Sequence, residues 1–137
     1  MNILWIQPNQ TLALTSIFDD QDPKEHAAML QERGDIPVDW TLAATSVDWK
    51  PTGWAHESHR WSGSTVVVDF EAAKNETKTR LRREREPLMA VLDVEFQRAL
   101  EDGADTAKIV AEKRRLRDVT NLADLVTTLD GLKAISV

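Results

Sequence analysis

The hydrophobic period changes at Asp69, and that change limits this chain more than any motif in it. Up to Asp69, short apolar runs alternate with polar residues and are punctuated by Pro, Gly and Asn. From Phe70 to about Leu100 there is no glycine, and Ala, Glu, Lys, Arg and Leu dominate. A period near two belongs to half-buried strands and a period near 3.6 to amphipathic helices. The chain is therefore expected to be α+β. A small N-terminal antiparallel β-rich unit with one short helix covers 1–69, and a long helix and a C-terminal helical hairpin cover 70–137. A length of 137 residues allows one modest core or two small ones. The charge divides at the same place: Asp plus Glu outnumber Lys plus Arg by 10 to 4 in residues 1–69, and the two are equal at 13 in residues 70–137. The tryptophans all precede residue 62, so the two halves are built differently.

In the first half, "NILWI" (2–6) and "TLALTSIF" (11–18) read as a hairpin turning on "QPNQ". Asp22 before Pro23 is an N-cap followed by Pro at the first helical position, and Gly34 stands where a helix from about 23 to 33 would end. "VDWTLAA" (38–44) alternates like a strand. Residues 45–53 hold Pro51 and Gly53, show no period, and read as loop.

"WAHESHRWSGSTVVVD" (54–69) is the stretch that first suggests chemistry, since two histidines flank a carboxylate and a serine. "SGS" is a turn sequence and "TVVVD" a β-branched run, so the whole is expected to be the last hairpin of the sheet. On a strand His56 and His59 would point to opposite faces. A zinc site would need a bend between them and a third ligand, and none is evident nearby. None of the serines sits in a Gly-x-Ser-x-Gly elbow. The bland expectation is an ordinary strand segment whose histidines are exposed or on an edge. Trp54 and Trp61 are its candidate partner-binding residues, because aromatic anchors are what interfaces favour.

In the second half Asp69 is a good N-cap, and Leu81, Leu88, Leu92, Phe96 and Ala99 trace one helical stripe. Pro87 removes a helical donor and clashes with the preceding turn, so two segments, 70–85 and 87–101, are expected to meet at an angle. Gly103 ends this helix, and Asp105 caps another over about 106–117. Folding back about Gly103 should bring Phe96 to Ile109 and Leu88 to Leu116 or Val119. Asn121 and Asp124 begin a short third helix through Leu125 and Leu129, broken at Gly131.

The residues exclude some functions directly. Without cysteine there is no disulfide, no thiolate cluster and no thiol catalysis. "MNILWIQPNQ" has no signal-peptide pattern and no segment approaches the ~20 apolar residues of a membrane span. A soluble chain with no membrane partner and no cofactor is expected.

Trp61, Gly63, Val68 and Asp69, then Arg82, Arg85 and Leu88, then Leu92, Asp93, Ala99, Leu100 and Glu101, then Leu116, Arg117, Asp118 and Val119, and finally Leu132, Lys133 and Ala134 form an ordered set. Over about residues 61–135 this set resembles small proteins of bacteriophage and prophage tail modules, of the tail fibre assembly, tail assembly chaperone or virion structural type. Departures are an inserted alanine in "EDGADTAK" and Pro87 where a helix former is expected. The resemblance implies a non-enzymatic structural or adaptor protein that makes protein–protein contacts with other phage tail or fibre proteins, as a homo-oligomer or part of a symmetric assembly. Its place would be the virion tail, or the host cytoplasm during assembly. A transient tail or tail-fibre assembly chaperone is the alternative.

A reading of another class rests on "KTRLRRER" (78–85) and "KRRLR" (113–117). In an antiparallel hairpin both runs fall at one end, and Arg82, Arg85, Arg114 and Arg115 are candidate binding residues, for nucleic acid in this reading or for protein. Against nucleic acid stand the acidic first half and Glu84, Glu86 and Glu112 at pairing distance along the helices.

Overall fold

The structure is a computed structural model and describes residues 1–137. The chain forms two compact units, Met1–Ala72 and Ala73–Val137. The expected α+β class holds.

In the first unit, β1 (Asn2–Ile6) is the central strand of a three-stranded antiparallel sheet, with β2 (Leu12–Ser16) on one side and β3 (Thr41–Ala44) on the other. Its position explains its composition. A central strand covered on both faces must be apolar at consecutive positions, and Ile3, Leu4 and Trp5 are all fully buried. Helix α1 (Pro23–Glu32) begins at Asp22, whose carboxylate accepts from the amides of Lys24 and Glu25 at 2.9 Å. It ends at Gly34, whose φ of 79° lies in the left-handed region open to glycine. Through Ala27 the helix packs into a core with Ile3, Trp5 and Ile17, and Trp40 and Ile36 lie against its edge. The buried indole of Trp5 keeps its donor satisfied by Thr15 Oγ1 at 3.0 Å, as a buried ring N–H requires.

The stretch 54–69 departs from expectation. It is not the last hairpin of that sheet but a separate two-stranded one, β4 (His59–Trp61) paired with β5 (Val66–Val68). Ser62 closes the turn by donating to and accepting from Thr65. Residues His56–Ser58 form a turn of 3-10 helix, so the two-residue alternation that would have separated His56 from His59 never operates between them.

Helix α2 (Phe70–Glu101) starts where expected, with Asp69 Oδ2 accepting from the amide of Ala72 at 2.8 Å. It is continuous through Pro87, so the helix does not restart there. The physical reason lies in α3 (Ala107–Asp118), which returns antiparallel and grips α2 on both sides of the proline. Arg85 donates to the carbonyls of Leu116 and Arg117, and Asp93 pairs with Lys113 at 2.6 Å. One missing hydrogen bond does not break a helix held to the same neighbour above and below it.

The turn between them is the expected one. Gly103 has φ 64° and Ala104 donates to Ala99 at 2.8 Å, while Asp105 accepts from the amide of Ala107. The packing differs in detail. Ala73, Thr77 and Leu81 are the buried line of α2, and Leu88 is 43% exposed. Beyond Leu81 the half-buried line passes through Arg85, Met89, Leu92 and Phe96, and Lys113 lies over the Phe96 ring at 5.0 Å. The expected third helix is also redrawn. A 3-10 segment, Val119–Asp124, follows α3 directly, and α4 (Leu129–Ala134) begins on a Thr128 cap that accepts from Gly131. Gly131 is thus inside a helix and does not end one. Leu81, Leu116, Val119, Ala123 and Leu132 are the buried apolar residues of this unit besides Ala73.

Candidate functional site

The 3-10 turn at His56–Ser58 does what a strand could not, because both histidines reach one ring. The imidazole of His56 stacks on Trp49, with centroids 4.5 Å apart and planes at 29°, and that of His59 meets Trp49 edge-on at 5.0 Å. His59 is 3% exposed although it lies on a strand of a two-stranded sheet, whereas His56 is exposed, as expected. Its Nδ1 lies 2.9 Å from the Ala55 carbonyl and its Nε2 2.8 Å from Thr52 Oγ1. With Nδ1–H donating to Ala55, Nε2 accepts from the Thr52 hydroxyl, and neither nitrogen is left for a metal. His56 Nε2 is bonded to the carbonyl of Leu12 on β2. His56 therefore ties this segment to β2, His59 ties residues 52 and 55 to the start of β4, and both rings pack on Trp49. No group of three or more His, Asp or Glu side chains is arranged to hold a metal ion.

Trp49 and Trp61 line an open groove of about 310 Å³ together with Val47, Thr52, Ser64 and Thr65. At its rim Asp48 and Lys50 pair with each other at 3.3 Å, both about four-fifths exposed. Of the two tryptophans singled out in the sequence, Trp61 lines this groove. Trp54 is half-buried outside it, its amide directed at Thr52 Oγ1. Trp49 was missed because it lies in a segment without period. The available signal was a large apolar ring in a loop, which needs partners to remain there. Two aromatic rings and the hydroxyls of Thr52, Ser64 and Thr65 thus border one open groove.

The two basic runs divide between side chains engaged within the unit and side chains exposed on it. Arg85 is engaged with the end of α3, and Arg115 forms a two-point bond to Glu112 at 2.6 and 3.0 Å. That bond holds the Glu112 carboxyl below its ordinary range. Lys78 bonds both oxygens of Asp124, at 2.7 and 2.9 Å, which lowers that carboxyl's pKa as well. Arg80 spans Glu84 and the carbonyls of Leu132 and Ile135. Arg82 and Arg114 are exposed. Most of the charge in these runs thus closes contacts within the second unit. No helix is long and apolar enough to cross a membrane.

Comparison with known proteins finds no family model, no curated protein and no solved structure that matches this chain.

Proposed function

We propose that this chain is a non-enzymatic, tail-associated structural or adaptor protein of a bacteriophage, making protein–protein contacts through its aromatic groove and its helices. The observation that carries the reading is the meeting of motif and fold in the second unit. Of the residues that bear the resemblance, five hold the unit together, while others, such as Arg82, Leu88 and Leu100, lie on its surface. Arg85 bonds the carbonyls of Leu116 and Arg117, Asp93 pairs with Lys113, and Leu116, Val119 and Leu132 are buried. A spaced set of residues that build one small helical unit is more specific than the same letters scattered along a helix. In the first unit, the residues that could have formed a hydrolytic or metal site instead brace Trp49, which supports a surface for contact over one for chemistry.

The test is quantitative mass spectrometry of purified particles and of the matching cell lysate from a host that produces the phage. Stoichiometric recovery in the particle supports the structural role. Recovery only in lysate complexes with tail or fibre proteins moves the assignment to an assembly chaperone. Absence from both overturns it.

A further inference from the structure

The outer face of α2 beyond Arg80 is apolar where a surface helix should be polar. Val91 is 56% exposed, Val94 51% and Leu88 43%, and Val91 and Val94 line a shallow groove with Ala90, Glu95 and Arg98. The face is distinct from the one that meets α3, which carries Arg85, Met89, Leu92 and Phe96. Nothing in the second unit covers it.

Two of its charges, Glu84 and Arg98, are placed evenly about its centre, and Glu95 lies beside them on the same face. Glu84 lies two turns before Val91 and Arg98 two turns after it, all on one line of the helix, with Leu88 and Val94 placed symmetrically to either side. We propose that this face pairs with the same face of a second copy, antiparallel, about a two-fold axis through Val91. The axis sets Val91 against its own equivalent, Val94 against Leu88 of the second copy, and Arg98 against Glu84 of the second copy. Both ends of the apolar patch then close with opposite charges, twice by symmetry, as an isologous interface demands. A parallel pairing would set Glu84 against Glu84 and Arg98 against Arg98, so the charges choose the direction. Glu84 is 3.2 Å from Arg80, so the bond to Arg98 of the second copy shares or replaces that pair. A single helix face buries less than the roughly 1,600 Å² of a standard interface, so the dimer forms at high protein concentration or where other contacts gather copies. The pairing does not depend on the tail assignment, and neither test bears on the other.

Because the chain has no cysteine, single introduced thiols give a clean readout in the full-length protein. Under mild oxidation Val91→Cys should form a disulfide-linked dimer. Leu88→Cys and Val94→Cys should each remain largely uncrosslinked alone and cross-link to each other when mixed. Self-linking of Val94→Cys, or no more linking at Val91 than at an exposed control such as Lys108→Cys, overturns the proposal. Sedimentation provides the second arm. Glu84→Arg and Arg98→Glu should each be monomeric, with circular dichroism unchanged, and an equimolar mixture should associate, because each variant supplies the charge the other needs. A wild-type chain that remains monomeric at ~1 mM, or a mixture no more associated than its components, also overturns it.

Discussion

The guanidinium of Arg85 stands at the C-terminal end of α3, with Nη1 2.6 Å from the carbonyl oxygen of Arg117. A helix ends with carbonyls that have no partner inside it, and a cation there meets both the missing bond and the negative end of the dipole. The bond joins residues far apart in sequence, so it fixes the register of the two helices as well as capping one. Arg85→Met keeps the stem and removes the donors. It should destabilise the second unit by about 1.5–3 kcal/mol, the usual worth of hydrogen bonds to a charged group. Urea unfolding followed by circular dichroism checks this, and Arg82→Met, at an exposed position, is the control expected to change little.

Leu116 and Phe96 separate a filled core from a covered edge. Leu116 is 1% exposed, and Leu116→Ala should cost about 2–5 kcal/mol. Phe96 is half-buried beneath Lys113, and Phe96→Ala should cost less. The reverse order in unfolding midpoints would place the core of the helical pair elsewhere.

Gly131 is needed for space. A Cβ there would meet the side chain of Val126 and, at 2.9 Å, Thr128 Oγ1, the cap of α4. Gly131→Ala should destabilise the protein by about 1–3 kcal/mol, the cost of overpacking, even though alanine is the better helix former. A stabilised variant in thermal melts would refute the close packing.

His59 is expected to act in folding. His59→Ala removes a buried ring that bonds Ala55 and Thr52 and packs on Trp49, and should cost about 2–4 kcal/mol from the cavity and the unpaired carbonyl together. His56→Ala, on a more exposed ring, should cost less. Zinc added to the wild type should leave its melting temperature unchanged, and stoichiometric zinc lost from the His59 variant would contradict the bracing role.

The pair Lys78–Asp124 has a definite pH signature. The hydrogen bond from Lys78 holds the folded pKa of Asp124 below its ordinary value. Its stabilisation is therefore complete above the unfolded value of about 3.9 and is lost as pH falls through the lower folded value. Wild type and Asp124→Asn should differ in urea midpoint at neutral pH and converge in acid. The difference should be small, since the carboxylate is half exposed and such pairs are screened.

Much of the fold was legible because its signals are local. Asp22 with Pro23, Asp69, Gly34 and Gly103 mark ends of helices through bonds to amides or carbonyls within a few residues, or through a φ that glycine adopts freely, and such bonds need no distant partner. The change of period at Asp69 likewise reports how side chains alternate along the chain itself. The failures share the opposite property. Pro87 reads as a break until α3 is present to hold both sides of it. Leu88 reads as core and Arg85 as surface until the carbonyls at the end of α3 give the arginine a reason to turn inward. His56 and His59 diverge on any strand, and converge only because a 3-10 turn presents them to Trp49, a residue whose own segment has no period. The sequence by itself determined where elements start and stop and which class of fold they make. Which face of α2 is inside, and what the histidines touch, was decided only when segments distant along the chain met, because burial and long-range hydrogen bonding, summed over several residues, outweigh a local preference.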